Sequence, residues 1–202
     1  MARLDRLRRF IADMTSLVDS VSQNGRPAPV ADGSRLLAAL VKHDDWLPES
    51  MAICPPHGYA QNLLWCDPLE RFSVVSFVWA PRARTPIHDH QVWGMVGMMR
   101  GSESSQQFVR DPTTGLLSKG ECADLAPGEV ELLLPTQGDI HQVSNTLSDG
   151  SSLSIHVYGG NIGAVRRYTF DADSGQPQLF VSGYSNQLMP NLWDSERGPT
   201  RG

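Results

Sequence analysis

The sequence predicts a mainly β protein, an antiparallel barrel preceded by α-helices, and three observations carry that prediction. From Phe72 onward the chain breaks into short runs rich in Val, Ile, Phe and Tyr, punctuated by Gly, Pro, Asp and Ser. Many short strands between such turns are the pattern of an all-β barrel. Before that point the apolar residues recur at helical spacing instead, with Leu7, Phe10, Ile11, Met14, Leu17, Val18 and Val21 on one face. No internal repeat or low-complexity tract interrupts the 202 residues, a length that suits a single domain with its own core.

Taken in order, residues 3–22 read as an amphipathic helix whose apolar stripe is core. Asp32 or Ser34 is positioned to cap a second helix carrying Leu36, Leu37, Leu40 and Val41, which Pro48 would stop. Residues 1–50 are therefore assigned to a helical segment. The stretch Met51 to Pro68, with Pro55, Pro56 and Gly58, is expected to be irregular and to hang side chains over the barrel mouth, Gln61 among them. Strands are expected at Phe72–Trp79, Gly94–Met99, Ser104–Val109, Glu129–Leu134, His141–Asn145, Leu153–Tyr158 and Arg167–Phe170, which places the barrel core in residues 70–172. Asp111 to Gly115 reads as a turn and Asp149-Gly150 as a hairpin. Residues 173–202 read as a tail: SGYSNQLMPNLWDSERG is too polar for a strand and is expected to lay its aromatic residues over the barrel before fraying.

A net charge of −5 and a pI near 5.6 leave no basic footprint, so nucleic acid is not an expected partner and any anionic ligand needs a local cation. The first residues, MARLDRLRRF, lack an apolar signal region, and no later run approaches a membrane span. No membrane partner and a cytoplasmic location are therefore expected. The three cysteines, Cys54, Cys66 and Cys122, form no CxxC pair, as in a reducing compartment.

The chemistry centres on PIHDHQVWGMVGMMRG. His88 and His90 are two apart, and in an extended strand such side chains share a face, so two imidazoles can meet one metal ion. His141, in PTQGDIHQVSN, offers a third. Isolated histidine pairs are more often surface or hydrogen-bonded core features, yet four of the six histidines (His88, His90, His141 and His156) fall in strand-like runs. Three-histidine sites suit zinc as well as iron, so ligand type alone leaves the metal open. Ser154, His156 and Tyr158 stand at i, i+2 and i+4 in SIHVY, on one face of a strand, where they can form a relay or simply satisfy one another. Arg166 and Arg167 are candidates to hold a substrate carboxylate, because a planar guanidinium can meet it with two hydrogen bonds.

The segment from His88 to Gly101 resembles the first cupin motif, with Gly94 where that motif has its glutamate ligand; Gly128, Pro135, Gly138, His141 and Asn145 resemble the second. A cupin with three histidines and no glutamate looks like the thiol dioxygenases of the cysteine dioxygenase family. RFSVVSFVW, HQVSN, SIHVYGGNIGAVRR and SGYSN are similar to the bacterial group acting on 3-mercaptopropionate, over roughly residues 59–193. The resemblance implies a cupin double-stranded β-helix, or jelly-roll barrel. It implies Fe(II) held by His88, His90 and His141, with O2 and a small thiol acid as substrates. The family reaction adds both oxygen atoms to sulfur, here converting 3-mercaptopropionate to 3-sulfinopropionate. In the family, Ser154 and His156 would orient the Tyr158 hydroxyl, leaving His156 as a non-ligand. Gly94 would leave room rather than supply a ligand, and no cysteine stands beside it to cross-link to the tyrosine. Arg167 would hold the carboxylate, and Gln61 matches the place where enzymes for cysteine present an arginine. Cysteine dioxygenation, a zinc or manganese cupin isomerase or hydrolase, and a non-catalytic binding cupin are the competing readings.

Overall fold

The computed structural model describes residues 4–24 and 28–193. The first residue of the helix expected at 3–22 and residues 194–202 of the expected tail lie outside them. Two helices come first, α1 (Asp5–Asn24) and α2 (Val30–Val41). Asp32 and Ser34 do not cap α2: its N-cap is Pro29, whose ring restricts φ near the helical value, and both polar residues lie inside the first turns. Asp32 instead pairs with Arg35, and the Ser34 hydroxyl donates to the Ala31 carbonyl. The helix ends at Val41, well before Pro48.

Among the described residues eleven strands follow: β1 (Tyr59–Cys66), β2 (Ser73–Trp79), β3 (Ile87–His88), β4 (Gly94–Arg100), β5 (Glu103–Arg110), β6 (Leu117–Leu125), β7 (Val130–Leu133), β8 (His141–Asn145), β9 (Ser152–Tyr158), β10 (Arg167–Phe170) and β11 (Pro177–Phe180). They form two antiparallel sheets, one ordered β1-β2-β9-β4-β7 and the other β11-β10-β3-β8-β5-β6. From β2 to β10 successive strands alternate between the two sheets, the β5–β6 hairpin excepted, which is the winding of a double-stranded β-helix.

Alternation along each strand separates two cores. On β9, Leu153, Ile155 and Val157 face outward into a cluster with Leu7, Phe10, Met14, Leu37 and Val41 of the helices. The alternate residues Ser154, His156 and Tyr158 face into the barrel, where Tyr158 packs with Val75, Phe77, Trp79, Val96, Met98 and Val143. All seven residues of β9 are consequently buried, with the polar set turned toward the interior. On β4, a Cβ at Gly97 would meet Leu37 Cγ at 2.8 Å, so the missing side chain is what lets α2 sit close to the sheet.

Four strands depart from expectation. YAQNLLWC, read as irregular, is β1, held to β2 from Tyr59↔Trp79 to Cys66↔Ser73. β6 and β11 are edge strands of the second sheet, and β11 lies in the stretch read as a tail. β3 is two residues long, so His90 lies beyond its end. Asp149-Gly150 joins β8 and β9, which belong to different sheets, so it is a crossover and not a hairpin. No helix among the described residues is long and apolar enough to cross a membrane.

Candidate metal centre

β3 and β8 pair with His88 directly opposite His141, which brings two imidazoles of the same interior face together across the ladder. His90 reaches the same point from the turn beyond β3. That turn is pinned from two sides: Asp139 accepts from the His90 backbone N–H at 2.9 Å, and Asp89 accepts from the Tyr168 N–H of β10 at 2.8 Å. The expected strand spacing of the pair is therefore replaced by a strand end and a braced turn, with the same convergence. The ligand atoms of His88, His90 and His141 all lie within 4.8 Å of one another, and the three side chains are buried. Among the described residues no carboxylate or thiol joins this group.

Each imidazole is oriented by what surrounds it. His88 Nδ1 donates to the Pro86 carbonyl at 3.0 Å, so the lone pair is on Nε2. His141 Nδ1 lies 3.0 Å from Ser105 Oγ, with the half-buried Glu131 carboxyl a further neighbour of that hydroxyl. With Nδ1 engaged by Ser105, Nε2 is the His141 nitrogen left to face a metal ion. His90 is fully buried with no hydrogen-bond partner on either nitrogen, Asp139 Oδ2 standing 3.3 Å from its Nδ1. A buried imidazole so placed lacks a partner that a metal ion would supply, and the donor set fits a divalent ion. Burial pushes His88 down to about 4 and holds His90 and His141 well below the ordinary histidine value, so all three are neutral donors at neutral pH.

The β9 face supplies a continuous hydrogen-bonded line. Ser154 Oγ is 2.9 Å from His156 Nε2, and His156 Nδ1 is 2.7 Å from the Tyr158 hydroxyl. Both nitrogens of His156 are thereby engaged, and the ring stacks on Phe77 at 4.2 Å. Burial lowers His156 to about 3 and raises the Tyr158 phenol far above its usual value, so His156 is neutral and Tyr158 keeps its proton. The Tyr158 ring lies over His90, with centroids 5.5 Å apart. A Cβ at Gly94 would stand 3.0 Å from Tyr158 Cδ1, so the glycine makes the space that the tyrosine ring occupies.

Arg167 and Arg166 are separated by strand alternation: Arg166 is exposed, whereas Arg167 is 4 % exposed and points inside. Its guanidinium lies 4.7 Å above the Phe180 ring, and Nη2 donates to Ser182 Oγ at 2.7 Å. Nε has no partner, and no carboxylate pairs with this cation among the described residues. β10 pairs with β3 with Thr169 opposite His88, so Arg167, two residues earlier, shares the face of His88, and its positive charge acts on His88, His90 and Tyr158. Gln61 is brought beside it by a shared contact, Nε2 donating to Ser182 Oγ at 3.3 Å and to the Gly183 carbonyl at 3.1 Å. Sequence reasoning does not single out Ser182, Ser105, Glu131 or Asp139. Their roles come from contacts across strands, and only SGYSN carries a trace of the first.

No family model matches the chain. Solved structures similar to it include a double-stranded β-helix protein from Klebsiella pneumoniae, at 15 % identity over 56 % of this chain and 82 % of that one, with a TM-score of 0.45. A cupin 2 conserved barrel protein from Rhodopseudomonas palustris aligns at 14 % identity over 59 % and 72 %, with a TM-score of 0.43. The TT1209 protein from Thermus thermophilus aligns at 18 % identity over 55 % and 92 %, with a TM-score of 0.44.

Proposed function

We propose that the protein is an Fe(II)-dependent thiol dioxygenase that converts 3-mercaptopropionate to 3-sulfinopropionate. One observation carries the reading: a buried three-histidine group without a protein carboxylate stands beside Arg167, a buried cation that also lacks one. Neutral imidazoles from three residues suit an anionic donor on the same ion, and a thiolate is such a donor. Bound Fe(II) would supply redox chemistry with O2 and favour the deprotonated form of a thiol whose free pKa is about 8.5.

The transformation balances without a reductant. A thiol RSH and O2 give RSO2H, the sulfur losing the four electrons that the dioxygen gains, while two S–O bonds form and the O–O bond breaks. The chain's own residues hold the reactants. Arg167 has unpaired donors to meet the carboxylate, and its position within the pocket's field sets how far the sulfur reaches toward the histidines. Gln61, tied to the same Ser182, puts an uncharged amide where a second guanidinium would ask for a zwitterion. Tyr158, oriented by His156 and Ser154, offers its hydroxyl as a hydrogen-bond donor at the pocket wall. Burial of all these groups keeps competing water out.

The test is oxygen uptake by protein loaded anaerobically with Fe(II), given 3-mercaptopropionate, L-cysteine and cysteamine in parallel, with products identified by mass. Fastest uptake with 3-mercaptopropionate and a product heavier by two oxygens is expected. Preference for cysteine would overturn the substrate assignment, and no uptake with any thiol despite bound iron would overturn the activity.

A further inference from the structure

Beside Ser154 the barrel holds one further buried polar group. Glu103, at the start of β5, is 1 % exposed and stands next to the Ser154 end of the hydrogen-bonded line on β9. Its Oε1 accepts from Ser152 Oγ at 3.0 Å, and Ser154 lies against the same carboxyl. Oε2 is buried with no partner in direct hydrogen-bond geometry. Facing the carboxyl are Ser152 and Ser154 of β9, Asn145 of β8 and Leu125 of β6, with Glu131 of β7 acting on it through its charge. Among the described residues acting on it Glu131 is the titratable group, and none is a cation; Tyr158 feels the charge of both carboxyls from further off.

We propose that Glu103 is a positioning residue whose protonation state sets the direction of the hydrogen bonds running through Ser154 and His156 to Tyr158. The direction follows from counting donors along the line, and its use in catalysis rests on the reading of Tyr158 as the donor facing the substrate. With Glu103 protonated, its O–H donates to Ser154 Oγ, and the Ser154 hydroxyl donates to His156 Nε2. His156 then carries its proton on Nδ1 and donates to the Tyr158 oxygen, which leaves the Tyr158 O–H free to point into the pocket. With Glu103 ionised, the order reverses, because a carboxylate is the stronger acceptor. Ser154 then donates to Glu103, His156 donates from Nε2 to Ser154, and Tyr158 must donate inward to Nδ1. Only lone pairs of the phenol are then presented to substrate. Trp79 Nε1, which donates to Ser154 Oγ at 3.3 Å, fits both arrangements and selects neither. Burial raises the Glu103 carboxyl to about 8, so the protonated arrangement holds at neutral pH and the reversal falls in an accessible range.

The test reads the His156 tautomer in metal-free protein by 15N NMR of histidine-labelled chain, assigned by the signal lost in His156→Gln. His156 stays neutral throughout the range used, so its spectrum reports which nitrogen bears the proton and not its ionisation. We expect the Nδ1–H tautomer at pH 6.5, conversion to Nε2–H above about pH 8, and Nδ1–H throughout in Glu103→Gln, whose amide, with its oxygen held by the Ser152 hydroxyl, turns its NH2 donor to Ser154. A wild-type tautomer that does not change between pH 6 and 10 would overturn the proposal, as would an unchanged conversion in Glu103→Gln. Neither result involves iron, thiol or turnover, so failure here is distinguishable from failure of the dioxygenase reading.

Discussion

At the scale of single residues, the barrel interior holds polar groups whose protonation is set by burial, and this makes stability depend on pH with two opposed slopes. His88 and His156 are held at about 4 and about 3, below the 6.5 of an unfolded histidine. The unfolded chain therefore binds protons that the folded chain refuses once the pH drops below about 6.5, and stability is lost from there downward. Glu103 runs the other way: its folded value of about 8 exceeds the unfolded 4.5, so its contribution is full at low pH and disappears as the pH rises toward 8. Denaturant midpoints of the metal-free protein should peak near pH 6.5, and Glu103→Gln should flatten the decline above it. An equally steep decline in the variant would contradict this account of Glu103. A second prediction concerns Arg167. Removing one charge-assisted contact in Arg167→Ala costs about 1.5–3 kcal/mol, or roughly a ten- to hundredfold rise in KM for the thiol acid. The rise should be much smaller for cysteamine, which has no carboxylate; equal rises for both thiols would remove the carboxylate role.

The elements that position these groups are unevenly legible in the sequence, for physical reasons. β2, β4 and β9 are central strands covered on both sides, so their apolar runs stand out, and in β9 the polar residues at alternate positions mark the interior face. β1, β6 and β11 are edges. An edge strand is partly solvated and shows no clean apolar period: β6 is exposed along most of its length, and β1 buries the polar Gln61 and Asn62 where an apolar pattern would be sought. The His88, His90 and His141 group is legible because histidines are few, whereas Ser105 reaches His141 across 36 residues and Glu103 reaches Ser152 across 49. No local pattern encodes such pairs. Gly94 on β4 tests how tightly one strand shapes the pocket. Gly94→Ala puts a methyl against the Tyr158 ring and should cost about 1–3 kcal/mol in denaturant unfolding. Turnover should fall while bound iron is unchanged; full activity would show that the ring has room to spare.

On the scale of the whole molecule, the two cores divide the work. The helices cover the outer face of the first sheet with an apolar layer, which frees the inner face of that sheet to carry Ser154, His156 and Tyr158, polar groups that would be poor core residues by themselves. Leu37, fully buried between α2 and Gly97, belongs to the outer layer. Leu37→Ala should lower stability by about 2–5 kcal/mol, seen as a shifted denaturant midpoint with an unchanged slope, while iron stoichiometry and the Tyr158 line stay intact. Loss of iron binding in that variant would show that the helical layer and the pocket are not separable. The net charge of −5 disfavours an anionic substrate at long range, which leaves its capture to the buried guanidinium of Arg167.

The most direct test of the central claim is isotopic. With Fe(II)-loaded protein and 3-mercaptopropionate under 18O2 in ordinary water, a dioxygenase places both labelled atoms in one product molecule, and 3-sulfinopropionate should appear four mass units heavier than its unlabelled form. A product carrying one labelled atom or none, or oxygen consumed with only disulfide formed, would contradict the account.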